Sequence, residues 1–152
     1  MFFVITFFSG LAGLRKLVLI MESDKKKSSG FFLNSRRVLI VDDDARMARS
    51  IQRTLVRHGY TTDIAFDCYS ALTRVEEFQP AVITLDLVLP GMGGADFIRF
   101  IRNRMEYNSL KILTISARLQ DELEQARKAG ADDILEKPFL NEMLVEKVGA
   151  LF

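Results

Sequence analysis

Three observations predict an α/β fold: an open, doubly wound sheet of five parallel strands with helices on both faces. Apolar runs of strand length alternate with segments whose apolar residues recur at helical spacing, the signature of successive βαβ units. Four of the runs lead into polar residues. Val38-Leu39-Ile40-Val41 leads into Asp42-Asp43-Asp44, Val82-Ile83-Thr84-Leu85 into Asp86, Ile112-Leu113-Thr114-Ile115 into Ser116, and Ile134-Leu135-Glu136 into Lys137-Pro138. Gly59, Pro80 and Gly130 punctuate the helical segments where helices stop. Ligands bind beyond the carboxyl ends of strands in such sheets, so the polar positions are expected to meet in one small site.

The elements follow in chain order. Strand one is expected over 38–41. The first helix spans 45–58, with Met47, Ile51 and Leu55 on one stripe and Gly59 at its stop. Strand two covers 61–65. The second helix covers 69–78 and ends near Pro80. Strand three, 81–85, is followed by the turn Leu89-Pro90-Gly91-Met92-Gly93-Gly94. The third helix is expected over 95–105, with Phe97, Ile98 and Ile101 inward. Strand four covers 111–115 and the fourth helix 121–129. Strand five covers 133–135 and the fifth helix 140–151.

A chain of 152 residues with a formal charge of +1 fits one domain and carries no overall basic footprint for nucleic acid. Cys68 is the single cysteine and His58 the single histidine. That excludes an internal disulfide, a Cys/His zinc site and triads needing a second histidine, and it suits a reduced, cytoplasmic setting. His58 is expected at the exposed end of the first helix and Cys68 as a small packing residue.

Residues 1–35 form an apolar segment and a lysine-rich linker ahead of a domain at 36–152. Arg15 and Lys16 interrupt the apolar segment, and a basic residue near the centre of a span costs about 2.5–3.5 kcal/mol. The positive charge also follows the apolar stretch, the reverse of a signal peptide. Three readings remain for 1–20: a stretch upstream of a true start at Met21, a membrane anchor, or an extra amphipathic helix.

The chemistry lies at the strand ends. Asp42, Asp43 and Asp86 fall on strands expected to be neighbours where chain order reverses. Carboxylates packed together repel one another, and a divalent cation resolves the conflict. An all-oxygen set with room for water suits Mg²⁺. By itself the acidic triplet reads first as a solvated turn capping the first helix, a role Asp44 alone can fill. Ser116 and Lys137 opposite the carboxylates suggest a tetrahedral anion held between a hydroxyl and an ammonium. Taken singly, they read as a turn cap and a surface charge, and only their common position at the strand ends favours the anion site. A cis Lys137–Pro138 bond would set the lysine's direction.

VLIVDDDARM, ITLDLVLPGMGG, ILTISA and GADDILEKPF, in this order and spacing from Arg36 to Phe152, resemble the signature segments of the bacterial response-regulator receiver domain. The resemblance implies a flavodoxin-like sheet of order 2-1-3-4-5. It implies that Asp86 is the phosphoacceptor, a carboxylate nucleophile taking a phosphoryl group from a histidine kinase or histidine phosphotransfer protein. Asp43 and Asp86 would ligate Mg²⁺, Asp42 would assist directly or through water, and the Val88 carbonyl would complete the protein's share. Ser116, Lys137 and the Ala117 backbone N–H would hold phosphoryl oxygens.

Some positions depart from the family pattern. Ile134 stands where an aromatic residue is usual, so any switch must use a smaller repacking. Gly93 replaces a capping Asp or Asn, which should loosen the start of the third helix. Val88 and Arg118 lie where the family tunes phosphate lifetime. An apolar Val88 and a long Arg118 point to slow self-hydrolysis.

The function expected is a phosphoacceptor switch rather than a turnover enzyme, acting on a downstream protein through the face of helix four, strand five and helix five. No helix-turn-helix or catalytic segment follows the fifth helix, so no direct nucleic-acid contact is expected, and a membrane contact arises only if 1–20 is an anchor. Two alternatives stand beside it. One is a receiver-fold adaptor that works without phosphorylation. The other is a Mg²⁺-dependent phosphohydrolase, disfavoured because Val88 occupies the position where such enzymes carry a second Asp.

Overall fold

The computed structural model describes residues 36–117 and 120–152. The expectations for 1–35 and for Arg118 lie outside the described residues. Ten elements alternate along the chain: β1 (Arg37–Val41), α1 (Ala45–Arg57), β2 (Thr61–Ala65), α2 (Cys68–Phe78), β3 (Val82–Asp86), α3 (Gly94–Arg102), β4 (Lys111–Ala117), α4 (Gln120–Ala129), β5 (Asp133–Lys137) and α5 (Asn141–Ala150). A 3₁₀ turn, Met105–Tyr107, follows α3. All strand pairs are parallel and the order is β2-β1-β3-β4-β5.

Side chains alternate across each strand and so sort the apolar residues into two cores. Val38, Ile40, Val82, Leu113, Ile115 and Leu135 pack with Ala48, Ile51 and Leu55 of α1 and with Leu144 and Val148 of α5. Leu39, Val41, Ile83, Leu85 and Ile112 pack on the other face with α2, α3 and α4, where Phe97, Ile98 and Ile101 are fully buried. Each large aliphatic side chain so removed from water contributes about 1.5–3 kcal/mol. Met47 lies only at the margin of its core, and the inward stripe of α1 is instead Ala48, Ile51, Thr54 and Leu55.

The strands run further than the apolar runs. β3 includes Asp86, β4 reaches Ala117 and β5 reaches Lys137, because pairing continues through Asp86↔Ile115, Ser116↔Glu136 and Ala117↔Lys137. A polar side chain ends an apolar run without ending a backbone ladder. The third helix is correspondingly shorter than expected: it stops at Arg102, and Met105, one turn past Ile101, is 87% exposed and belongs to neither core. Arg102 bonds the carbonyls of Gly130 and Leu110 and the Asp132 carboxylate, which pins α3 to the segments preceding β4 and β5.

The local signals read from single residues hold. Asp44 caps α1, accepting from the N–H groups of Arg46 and Met47. His58 is exposed at the end of α1, its ring Nδ1 2.8 Å from the Thr54 carbonyl oxygen. Cys68 is fully buried and donates to the Met92 carbonyl, and burial, with Asp67 and Asp96 nearby, pushes its thiol up to about 11. Gly93 stands at the N-cap of α3 and supplies no side-chain cap.

Gly94 has a sharper requirement. A Cβ there would lie 2.7 Å from Leu87 Cα and 2.9 Å from the Asp86 carbonyl oxygen, so backbone would have to move. Gly94→Ala is expected to cost about 1–3 kcal/mol. Gly93→Ala, whose Cβ would meet only Asp96 Oδ2 at 4.0 Å, should change stability far less. Paired urea denaturation curves check this, and equal midpoints for the two variants would contradict it.

Candidate functional site

Four of the expected residues gather at the carboxyl rim of β1, β3 and β5. Asp42 follows β1, is 2% exposed, and is held by its own N–H bond to the Ala65 carbonyl at 3.2 Å. Its Oδ1 accepts from the Asp44 N–H at 2.9 Å. Asp86 ends β3, and its Oδ1 accepts from the Val88 N–H at 3.0 Å. Lys137 ends β5 and reaches back between the two carboxylates, donating to Asp86 Oδ2 at 2.5 Å and Asp42 Oδ2 at 3.3 Å. The Lys137–Pro138 peptide is cis. Asp43 is exposed beside them, and one carboxylate oxygen each from Asp42, Asp43 and Asp86 lies within 4.8 Å of the others.

The electrostatics follow from burial and from this pairing. Burial pushes the Asp42 carboxyl above its ordinary range, opposed by the Lys137 charge and the Asp44 N–H, and the Asp86 carboxylate adds to the rise. Burial alone would lower Lys137. The hydrogen bond and charge of Asp86, with the charge of Asp42, more than offset it, so the ammonium is held firmly protonated. One cation is thus shared by two carboxylates, with a third at the solvent side. Such a donor set, all oxygen and net negative, fits Mg²⁺.

Ser116 and Ala117 reach the same rim on β4, but Ser116 faces differently. Asp42, Asp86 and Lys137 continue the alternating rows that point toward α1 and α5. Ser116 has the parity of Ile112, so it leaves the sheet on the α4 side. Its hydroxyl, fully buried, lies 3.0 Å from the Ala117 carbonyl oxygen and 3.2 Å from Oε2 of Glu122 in the first turn of α4. Glu122 was not among the residues singled out from the sequence. Its one signal there is an acid at the start of a helix six residues past the serine, which composition alone reads as a favourable first-turn charge. Ala117 is exposed at the end of β4, Val88 is exposed between β3 and α3, and Ile134 is buried beside Thr114 in the ladder.

A carboxylate cluster with a fixed ammonium, at the carboxyl rim of a 2-1-3-4-5 parallel sheet, defines a flavodoxin-like α/β domain of the receiver type. Residues 38–149 match the family model for the response regulator receiver domain. Among curated relatives, the DNA-binding response regulator MtrA of Mycobacterium tuberculosis is 36% identical over 116 residues, covering 76% of this chain and 50% of that protein. The two-component response regulator PhoP of Pseudomonas aeruginosa is 36% identical over 115 residues, 76% of this chain and 51% of that protein. Among solved structures, a response regulator receiver domain from Bermanella marisrubri superposes with a TM-score of 0.74 at 42% identity, covering 78% of this chain and 98% of that one. The chemotaxis response regulator CheY4 of Vibrio cholerae gives 0.73 at 27% identity, covering 78% and 100%. The chain belongs to the response regulator receiver domain family of two-component signalling. It spans about half the length of the curated relatives it matches. No helix among the described residues is long and apolar enough to cross a membrane.

Proposed function

We propose that this chain is a phosphoacceptor switch whose acceptor is Asp86. The observation that carries the reading is the shared bond of Lys137 to Asp86 and Asp42, which places a fixed cation against one oxygen of a carboxylate at the sheet rim. Asp86 Oδ attacks the phosphorus of a phosphohistidine on a histidine kinase or phosphotransfer protein. An O–P bond forms, the P–N bond breaks, and the imidazole leaves with its electron pair and takes up a proton. Lys137 neutralises charge on the transferring oxygens. The hydroxyl of Ser116 and the N–H of Ala117 supply further donors, the former after turning from Glu122.

Asp42, Asp43, Asp86 and the Val88 carbonyl are the groups that would hold Mg²⁺. Bound there, the ion supplies charge neutralisation between acceptor and phosphoryl oxygens. Output then passes to a partner protein through α4, β5 and α5, a reading supported by β5 forming the sheet edge with α4 and α5 on opposite faces. A cytoplasmic setting suits a kinase-coupled switch.

Incubation with acetyl phosphate or phosphoramidate and Mg²⁺ is expected to raise the intact mass by one phosphoryl group. The adduct should be acid-stable and base-labile, and chelation of the metal should prevent it. An unchanged mass with both donors would leave the phosphorylation-independent adaptor as the better reading.

A further inference from the structure

We propose that Glu122 is a positioning residue that holds the Ser116 hydroxyl away from the phosphoryl site and so ties the first turn of α4 to the chemistry at Asp86. The inference rests on the phosphoacceptor reading and deepens it. Ser116 is fully buried and carries one hydroxyl hydrogen, and the two acceptors in reach among the described residues are the Ala117 carbonyl and Glu122 Oε2. Neither Asp86 nor Lys137 is among them: Lys137 is engaged with Asp86 and Asp42 on the other parity of the sheet. A hydroxyl donates one bond at a time. A phosphoryl oxygen on Asp86 therefore competes with the Ala117 carbonyl at 3.0 Å and Glu122 at 3.2 Å for the same hydrogen, and where it displaces Glu122 it releases a carboxylate that belongs to α4.

The coupling is reciprocal, as any competition for one donor must be. A partner that draws Glu122 to its own cation frees Ser116 and favours the phosphorylated form. A partner that leaves Glu122 on Ser116 opposes it. Glu122 thus gives α4 a direct connection to the acceptor that does not require an aromatic side chain at Ile134.

The test is a double-mutant cycle on Glu122 and Ser116, read as the initial rate of mass gain from acetyl phosphate with Mg²⁺. Glu122→Ala is expected to raise the rate about fivefold, the scale of one hydrogen bond's net worth. Glu122→Gln, which keeps a neutral acceptor, should fall between Glu122→Ala and the wild type. Ser116→Ala should slow uptake, and adding Glu122→Ala to it should change nothing further. A rate increase that persists in the Ser116→Ala background would mean that Glu122 acts only through its charge on the anionic donor, and would overturn the proposal. So would a wild-type rate in Glu122→Ala. Amide exchange over α4, measured without donor, reads the tie independently: Glu122→Ala and Ser116→Ala should each speed it, without adding. Exchange unchanged in both would refute the tie. If the wild-type chain takes up no phosphate, the phosphoacceptor reading fails, and the exchange result alone judges the Ser116–Glu122 bond.

Discussion

Asp86→Asn is expected to abolish donor-dependent mass gain completely while leaving the fold at least as stable. The amide has nearly the shape of the carboxylate but no nucleophilic oxygen of comparable strength, so acceptance of phosphorus ends. Stability is spared because Lys137 keeps its bond to Asp42. The change also removes one of two like charges, and the Asp86 charge is one of the causes that raise Asp42. A shift within about 1 kcal/mol of wild type, on the stabilising side, should appear in urea denaturation. Residual labelling in this variant would move the acceptor elsewhere, and a large loss of stability would show that Asp86 serves the fold first.

Lys137→Met should behave in the opposite way. The methionine fills similar space but leaves Asp42, 2% exposed, and Asp86 facing each other without the one ammonium bonded to both among the described residues. Removing one partner from a buried ion pair costs about 3 kcal/mol. The sign with pH follows from Asp42. Its folded pKa is already raised, and loss of Lys137 raises it further. A raised carboxyl contributes fully below its unfolded pKa and loses that contribution as pH rises through the folded one. The deficit against wild type should therefore be small near pH 4 and full at pH 7. Millimolar Mg²⁺ should restore more stability to the variant than it adds to the wild type, since the cation no longer competes with an ammonium. Thermal melts at the two pH values, with and without Mg²⁺, check both claims. A deficit independent of pH and metal would mean that Lys137 stabilises through its packed stem alone.

Much of this was readable from residues. Alternating apolar runs gave the βα order, and the Asp44 cap and the burial of Phe97, Ile98 and Ile101 followed from spacing. What the runs could not give was where ladders end. Asp86, Ser116 and Lys137 lie inside strands because their backbone pairs on, whatever their side chains prefer. Parity along β4 puts Ser116 in step with Ile112 and so on the α4 face. Glu122 was beyond reach, since only the tertiary path from β4 to α4 brings an acid onto that hydroxyl. The short α3 was hidden for a similar reason: Met105 continues a plausible helical stripe in sequence, and only the fold leaves it exposed outside both cores.

Arg102 fastens the amino ends of β4 and β5 to α3 through Leu110, Gly130 and Asp132. Ser116 and Lys137 stand at the far ends of those same strands, about 16 Å away at the usual rise per residue. The two strands stay laddered all the way to that rim, through Ser116↔Glu136 and Ala117↔Lys137, so the clamp at one end and the ladder at the other make a single stiff plate that carries Ser116 and Lys137 on opposite faces.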